Sequence, residues 1–242
     1  MRPIGSQAIR KCDTVRYAIY FSPAESDPLT QKASKWLGRN AFSNLDYRDC
    51  ASFRDITAEP RRYGFHATLK APFELAPDQC EAELLTALSN FAASHKAFDI
   101  PKIVVGSLGP FFALVPALTH QPLQSFAADV VEYFEPFRAP LSQNDIARRK
   151  PDSLNPRQRE NLERWGYPHV MDDFRFHMTL TGPVEDHQSA KISDALADAF
   201  SDFTHRPLTI SGLGLFVEKT RGDAFTVHTW QPLADKDMKE VR

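Results

Sequence analysis

Two stretches of this chain repeat one pattern, and that repeat narrows the folds open to it. Tyr63-Gly64-Phe65-His66-Ala67-Thr68-Leu69-Lys70-Ala71-Pro72 lines up with Phe174-Arg175-Phe176-His177-Met178-Thr179-Leu180-Thr181-Gly182-Pro183. In both, apolar residues alternate with polar ones, the period of a strand with one buried face. A second echo joins Gly106-Ser107-Leu108-Gly109-Pro110-Phe111 to Ser211-Gly212-Leu213-Gly214-Leu215-Phe216. The order of elements recurs around these stretches. Strand, helix, His strand, helix, strand and strand run over residues 16–115, and from the shared strand at 111–115 a matching order runs on to 230.

The pattern predicts an α+β fold, duplicated and bilobal, with two antiparallel sheets facing a central cleft and helices on their outer faces. Helices are read from Leu84, Leu85, Leu88, Phe91 and Ala92, from Leu123, Phe126, Ala127, Val130, Val131 and Phe134, and from Ile192, Ala195, Leu196, Ala199 and Phe200. Residues 62–73 and 174–183 read as the His strands and 39–61 as mostly loop. Residues 1–13 read as a loose tail and 14–242 as one domain of two pseudo-symmetric lobes. Residues 140–173 have no counterpart of equal length. They carry Arg148, Arg149, Lys150, Arg157, Arg159 and Arg164. Such an insertion is either a solvated excursion or a lid that brings positive charge over an anionic ligand.

Alternation places His66, Thr68 and Lys70 on one face of the first strand, and Arg175, His177, Thr179 and Thr181 on one face of the second. A single such strand is ordinary, because threonine is common on half-exposed sheets. Two matched copies call for a common site. If the polar faces line one groove, two imidazoles and two hydroxyls converge. One neutral ring can take a proton while the other donates one, and each hydroxyl can donate to a phosphate oxygen. Which histidine does which stays open. Lys70 and Arg175 would add charge, and Thr181 shares a face with His177. Tyr20 and Tyr63, with Tyr17 and Trp230, could stack on a base, core packing being their other reading.

The set needs no metal, and no His-Glu-x-x-His or Asp-rich motif is present. His187 and Asp186 read as capping residues, His95, His120, His169 and His205 as surface residues, and His228 as structural. Three cysteines, Cys12, Cys50 and Cys80, fit neither a disulfide framework nor a zinc site. A formal net charge of −2 leaves nucleic acid possible as a partner but not favoured. No apolar run has the length of a membrane helix or a signal segment, which predicts a cytoplasmic protein with no membrane partner.

The motif hydrophobic-His-hydrophobic-Thr-hydrophobic, twice and 111 residues apart, resembles the 2H phosphoesterase superfamily. The wording at 61–73, at Arg164-Trp165-Gly166-Tyr167-Pro168-His169-Val170-Met171 and at 174–183 is similar to a bacterial branch linked to phosphonate metabolism. The resemblance covers nearly all the chain from Tyr17 onward. It implies a bilobal fold with a central groove, no metal or cofactor, and hydrolysis or opening of a 2',3'-cyclic or related cyclic phosphodiester. His66 and His177 take the catalytic positions, and Thr68 and Thr179 the phosphate-binding ones. The phosphonate branch points to a cyclic phosphate of phosphoribose, and the expected partner is a small phosphorylated substrate bound by a monomer. Two other readings use the same groove: a module binding a nucleotide or RNA end, and an RNA end-processing enzyme.

Overall fold

A computed structural model of the protein describes residues 15–47 and 53–236. Cys12, Cys50 and the expected tail at 1–13 lie outside the described residues; Cys80 is exposed and free. The elements run β1 (Arg16–Phe21), α1 (Pro28–Leu37), α2 (Ala58–Tyr63), β2 (Ala67–Phe73), α3 (Glu81–Ser94), β3 (Phe98–Ile100), β4 (Ile103–Leu108), β5 (Phe111–Pro116) and α4 (Gln121–Tyr133). They continue with α5 (Gln143–Arg148), α6 (Pro156–Trp165), β6 (Met178–Thr179), α7 (Asp186–Ala199), β7 (Leu208–Ile210), β8 (Gly212–Glu218) and β9 (Thr226–Pro232). Local chemistry sets several boundaries. Asp27 accepts the Leu29 N–H and Pro28 opens α1, which ends on Gly38 at φ 87°. Asn155 and Gln158 form a reciprocal cap on α6, with Pro156 in its first turn.

The fold is α+β, and every strand pairing within the two sheets is antiparallel. Seven strands form one sheet in the order β4-β5-β6-β2-β1-β8-β9, and β3 and β7 form a second. Read outward from the β6–β2 junction, the order is β2-β1-β8-β9 on one side and β6-β5-β4 on the other. Each half therefore combines strands from the early and the late part of the chain. The halves meet through one residue pair, Ala67 with Met178.

Helices α3, α4 and α7 cover one face of the large sheet. Tyr17, Ile19 and Phe21 of β1 meet Leu88 and Phe91 of α3, Val130 of α4 and Leu196 of α7 in the main core. Each such fully buried side chain contributes about 2 kcal/mol of transfer free energy. The opposite face carries a smaller cluster of Ala18, Tyr20, Ala41, Phe216 and Phe225. That second face bears the histidines.

Both His strands are shorter than alternation predicts. Residues 58–63 turn as α2 before β2 begins at Ala67, and 39–61 is not all loop. The second strand is only Met178–Thr179. It stops because the Phe112 carbonyl accepts from both the Leu180 and the Thr181 N–H, at 2.9 and 3.2 Å, which breaks the ladder. The insertion folds into α5 and α6 with short 3-10 turns at Pro151–Ser153 and Met171–Asp173. Among the described residues no helix is long and apolar enough to cross a membrane.

Candidate active site

The Ala67–Met178 pair sets the register of the site. Continuing it by one residue each way places His66 opposite Thr179 and Thr68 opposite His177. All four side chains then point to the same face, away from the helices. The two histidines sit on a diagonal of this block, a geometry that puts their α-carbons roughly 7–8 Å apart. All four residues are half-buried.

The two rings are anchored alike. His66 Nδ1 lies 2.9 Å from the Gly64 carbonyl, and His177 Nδ1 lies 2.7 Å from the Arg175 carbonyl. A carbonyl only accepts, so each Nδ1 carries the hydrogen and each Nε2 is left for chemistry. His66 Nε2 is 3.2 Å from the Thr68 hydroxyl. Behind His66, Tyr20 stacks at a centroid distance of 3.9 Å, with Phe216 at 6.1 Å and Tyr63 at 6.0 Å. Burial in this aromatic bed is the main reason the His66 pKa falls to about 4. The Gly64 carbonyl opposes that fall and the nearby His177 adds to it.

The joint that presents His66 is built for it. Gly64 closes α2 at φ 77°, and a Cβ there would stand 2.5 Å from the Ala41 Cβ. Arg39 clamps the same joint from below, donating to the carbonyls of Arg61, Arg62 and Phe225. Burial lowers its pKa, against the pull of Asp46.

The five expected substrate contacts sort differently. Lys70 does not share the face of His66. The register steps from Tyr20–Thr68 to Ile19–Lys70, one residue on β1 against two on β2. This bulge turns Lys70 to the helix side, where it is buried, pairs with Glu135 at 2.7 Å and donates to the Val131 carbonyl. Thr181 is also buried, and its hydroxyl accepts the Phe112 N–H at 2.9 Å, so it closes β6 and meets no ligand. Tyr20 is 1% exposed and supports His66 from beneath, leaving no ring face for a base. Tyr63 sits at the rim, stacked on Phe225 at 5.3 Å. Arg175 precedes β6 rather than lying in it, and is exposed on the cleft wall.

A cleft of about 380 Å³ opens on the Thr68–His177 side of this block, lined by Thr68, Phe111, Tyr167, His169, Arg175 and His177 among others. Tyr167 and His169 come from the insertion and carried no motif of their own. His169 is exposed, as its loop position suggested, and lines this cleft together with His177. His228 faces Glu81 at 3.3 Å on the far side of the sheet, a structural contact. Among the described residues no group of three or more His, Cys, Asp or Glu side chains is arranged to hold a metal ion.

Residues 68–226 match the family model described as "Protein of unknown function (DUF1045)". The chain belongs to the DUF1045 family. Curated relatives of this DUF1045 chain include the ribose 1,5-bisphosphate phosphokinase PhnN of Janthinobacterium sp. (strain Marseille), 39% identical over 74% of this chain and 43% of that protein. A second, of the same description, is from Laribacter hongkongensis (strain HLHK9), 32% identical over 87% of this chain and 50% of that one. The chain thus spans about half the length of the curated relatives it matches. Similar solved structures include E. coli LigT complexed with NADP+, with 14% identity, 92% of this chain and 99% of that one covered, and a TM-score of 0.41. E. coli LigT complexed with 3'-AMP, at 13% identity, covers the same shares with a TM-score of 0.43.

Proposed function

We propose that this chain is a metal-independent phosphoesterase that opens a small cyclic phosphodiester, of the nucleoside 2',3'-cyclic or phosphoribosyl cyclic type, by general acid–base catalysis. One observation carries the reading: His66, Thr68, His177 and Thr179 form a two-by-two block on one sheet face, with both Nδ1 atoms fixed to carbonyls two residues earlier. In the reaction, His66 Nε2 takes a proton from water, the water oxygen bonds to phosphorus, and the bond to one ring oxygen breaks. His177 Nε2 gives its proton to that oxygen. The threonine hydroxyls donate to the non-bridging oxygens, where charge grows. The low pKa of His66 keeps its ring neutral near pH 7, which supports its role as base.

The curated relatives are named for a kinase acting on a phosphorylated ribose. A P-loop kinase needs a Gly-Lys-Ser/Thr sequence, and no Gly-Lys pair occurs in these 242 residues. The kinase activity is therefore not carried over, while a phosphorylated pentose as substrate class agrees with the name. The test is turnover of a panel of cyclic phosphates in excess chelator by wild type, His66→Ala and His177→Ala. Each variant is expected to lose roughly 10²–10⁴-fold in kcat while keeping its circular dichroism spectrum. Undiminished activity in both variants, or binding without turnover by wild type across the panel, overturns the reading.

A further inference from the structure

The basic residues of the insertion are not equivalent. Arg148 is exposed and pairs with Asp145 at 3.7 Å. Arg157 is held by Asp173, at 2.6 and 3.1 Å. Arg164 lies over the ring of its neighbour Trp165 at 4.5 Å. Arg149 differs from these. It is half-buried, makes no ion pair among the described residues, and sits 4.8 Å from the ring centroid of Tyr167. Tyr167 meets the His169 ring edge-on at 5.5 Å, and both line the cleft with Arg175 and His177. Arg175 likewise makes no ion pair among the described residues.

With Arg149 held over the Tyr167 ring and Arg175 on the lining, this side of the cleft carries more positive charge than one phosphodiester asks for. A diester bears a single negative charge, and the threonines and His177 already answer it. Asp173 is the acidic residue lining the cleft, and its carboxylate is engaged by Arg157. Like charges gathered in a partly desolvated cleft repel unless an anion joins them. The repulsion is felt at His169. Burial first, and then Arg149, His177 and Arg175, lower its pKa against the pull of Asp173. The cleft volume, about 380 Å³, suits a phosphorylated sugar or nucleotide.

The geometry points to a second anion subsite, formed by Arg149, Tyr167, His169 and Arg175 beside the two-histidine block, that takes a phosphomonoester carried elsewhere on the substrate. The preferred substrate is then a sugar or nucleoside cyclic phosphate with an additional phosphate group. The chemistry of this inference rests on the phosphoesterase reading, but the subsite does not.

Two measurements separate them. Ribose 5-phosphate, titrated calorimetrically, is expected to bind wild type roughly tenfold or more tightly than it binds Arg149→Ala or Arg175→Ala, the scale of one lost charged hydrogen bond. Arg149→Lys should fall between, and Arg148→Ala should bind as wild type does. In turnover, wild type is expected to favour a nucleoside 2',3'-cyclic phosphate bearing a 5'-phosphate over the same compound without it by about tenfold in kcat/KM. That ratio should collapse toward one in Arg149→Ala. Equal binding by wild type and Arg149→Ala, or no preference by wild type between the two substrates, overturns the subsite. Arg149-dependent binding with no turnover of either substrate sinks the phosphoesterase reading and leaves the subsite standing.

Discussion

His66 shows how much one residue's surroundings decide. Stacked on Tyr20 and tied to the Gly64 carbonyl, it titrates near 4 rather than at the ordinary 6.5 of histidine. The linkage has a definite sign. In the unfolded chain the ring takes up its proton as pH falls through 6.5, while in the folded protein it resists until about 4. Folding stability is thus intact above 6.5 and declines on acidification between these values, by up to about 3 kcal/mol. Urea denaturation at a series of pH values, with His66→Gln as the reference that cannot titrate, should show wild type losing more stability than the variant across that window. Parallel curves would mean that the ring is not buried as described. His169 is also pushed down, so bound anion should raise it, a shift visible in its ring proton resonances.

At the scale of elements, the α2–β2 joint governs where His66 points. Gly64→Ala places a Cβ against Ala41 in a backbone region that side chains rarely adopt. A loss of about 2–4 kcal/mol in thermal unfolding is expected, together with reduced activity. An unchanged melting temperature would show that the joint is not under this constraint. The same element shows what the sequence can and cannot disclose. Alternation was enough to put each histidine on one face with its own threonine, because the period of a strand is a property of the backbone, while the meeting of the two pairs on one face depends on the Ala67–Met178 pairing. It misplaced Lys70 because the bulge beside Leu69 interrupts that period, and a bulge leaves no mark in residue types. Thr181 was misread for a related reason: in the sequence it looks like Thr179, but its hydroxyl is taken by the Phe112 N–H. The basic run Arg148-Arg149-Lys150 was legible as a lid candidate. That only Arg149 turns toward Tyr167 depends on the path of α5 and the turn after it.

For the whole molecule, the insertion is fastened at a distance from the cleft. Arg221, in the turn between β8 and β9, donates to Asp145 of α5 at 2.7 Å and to Glu74 beyond β2 at 3.4 Å. The bond to Asp145 raises the Arg221 pKa, against a smaller opposing effect of burial. Arg221→Ala should loosen the insertion more than it unfolds the protein. The expected outcome is a loss of about 1–2 kcal/mol in denaturant unfolding, with a rise in KM larger than any fall in kcat. A fall in kcat alone would place Arg221 in the chemistry instead of in the anchoring of the insertion.

The strand order also has a consequence for the growing chain. β1 gains one neighbour, β2, within about fifty residues of synthesis, but Tyr17 faces Val217 across its other edge, 200 residues on. Contacts so distant along the chain slow folding, since a long loop must close before they form. Tyr20 rests against Phe216 of that late strand at 4.9 Å. A nascent chain that ends short of β8 already holds both histidines, yet it lacks the ring that completes the seat beneath His66. The ribosome thus finishes both histidines well before the protein can hold one of them in place.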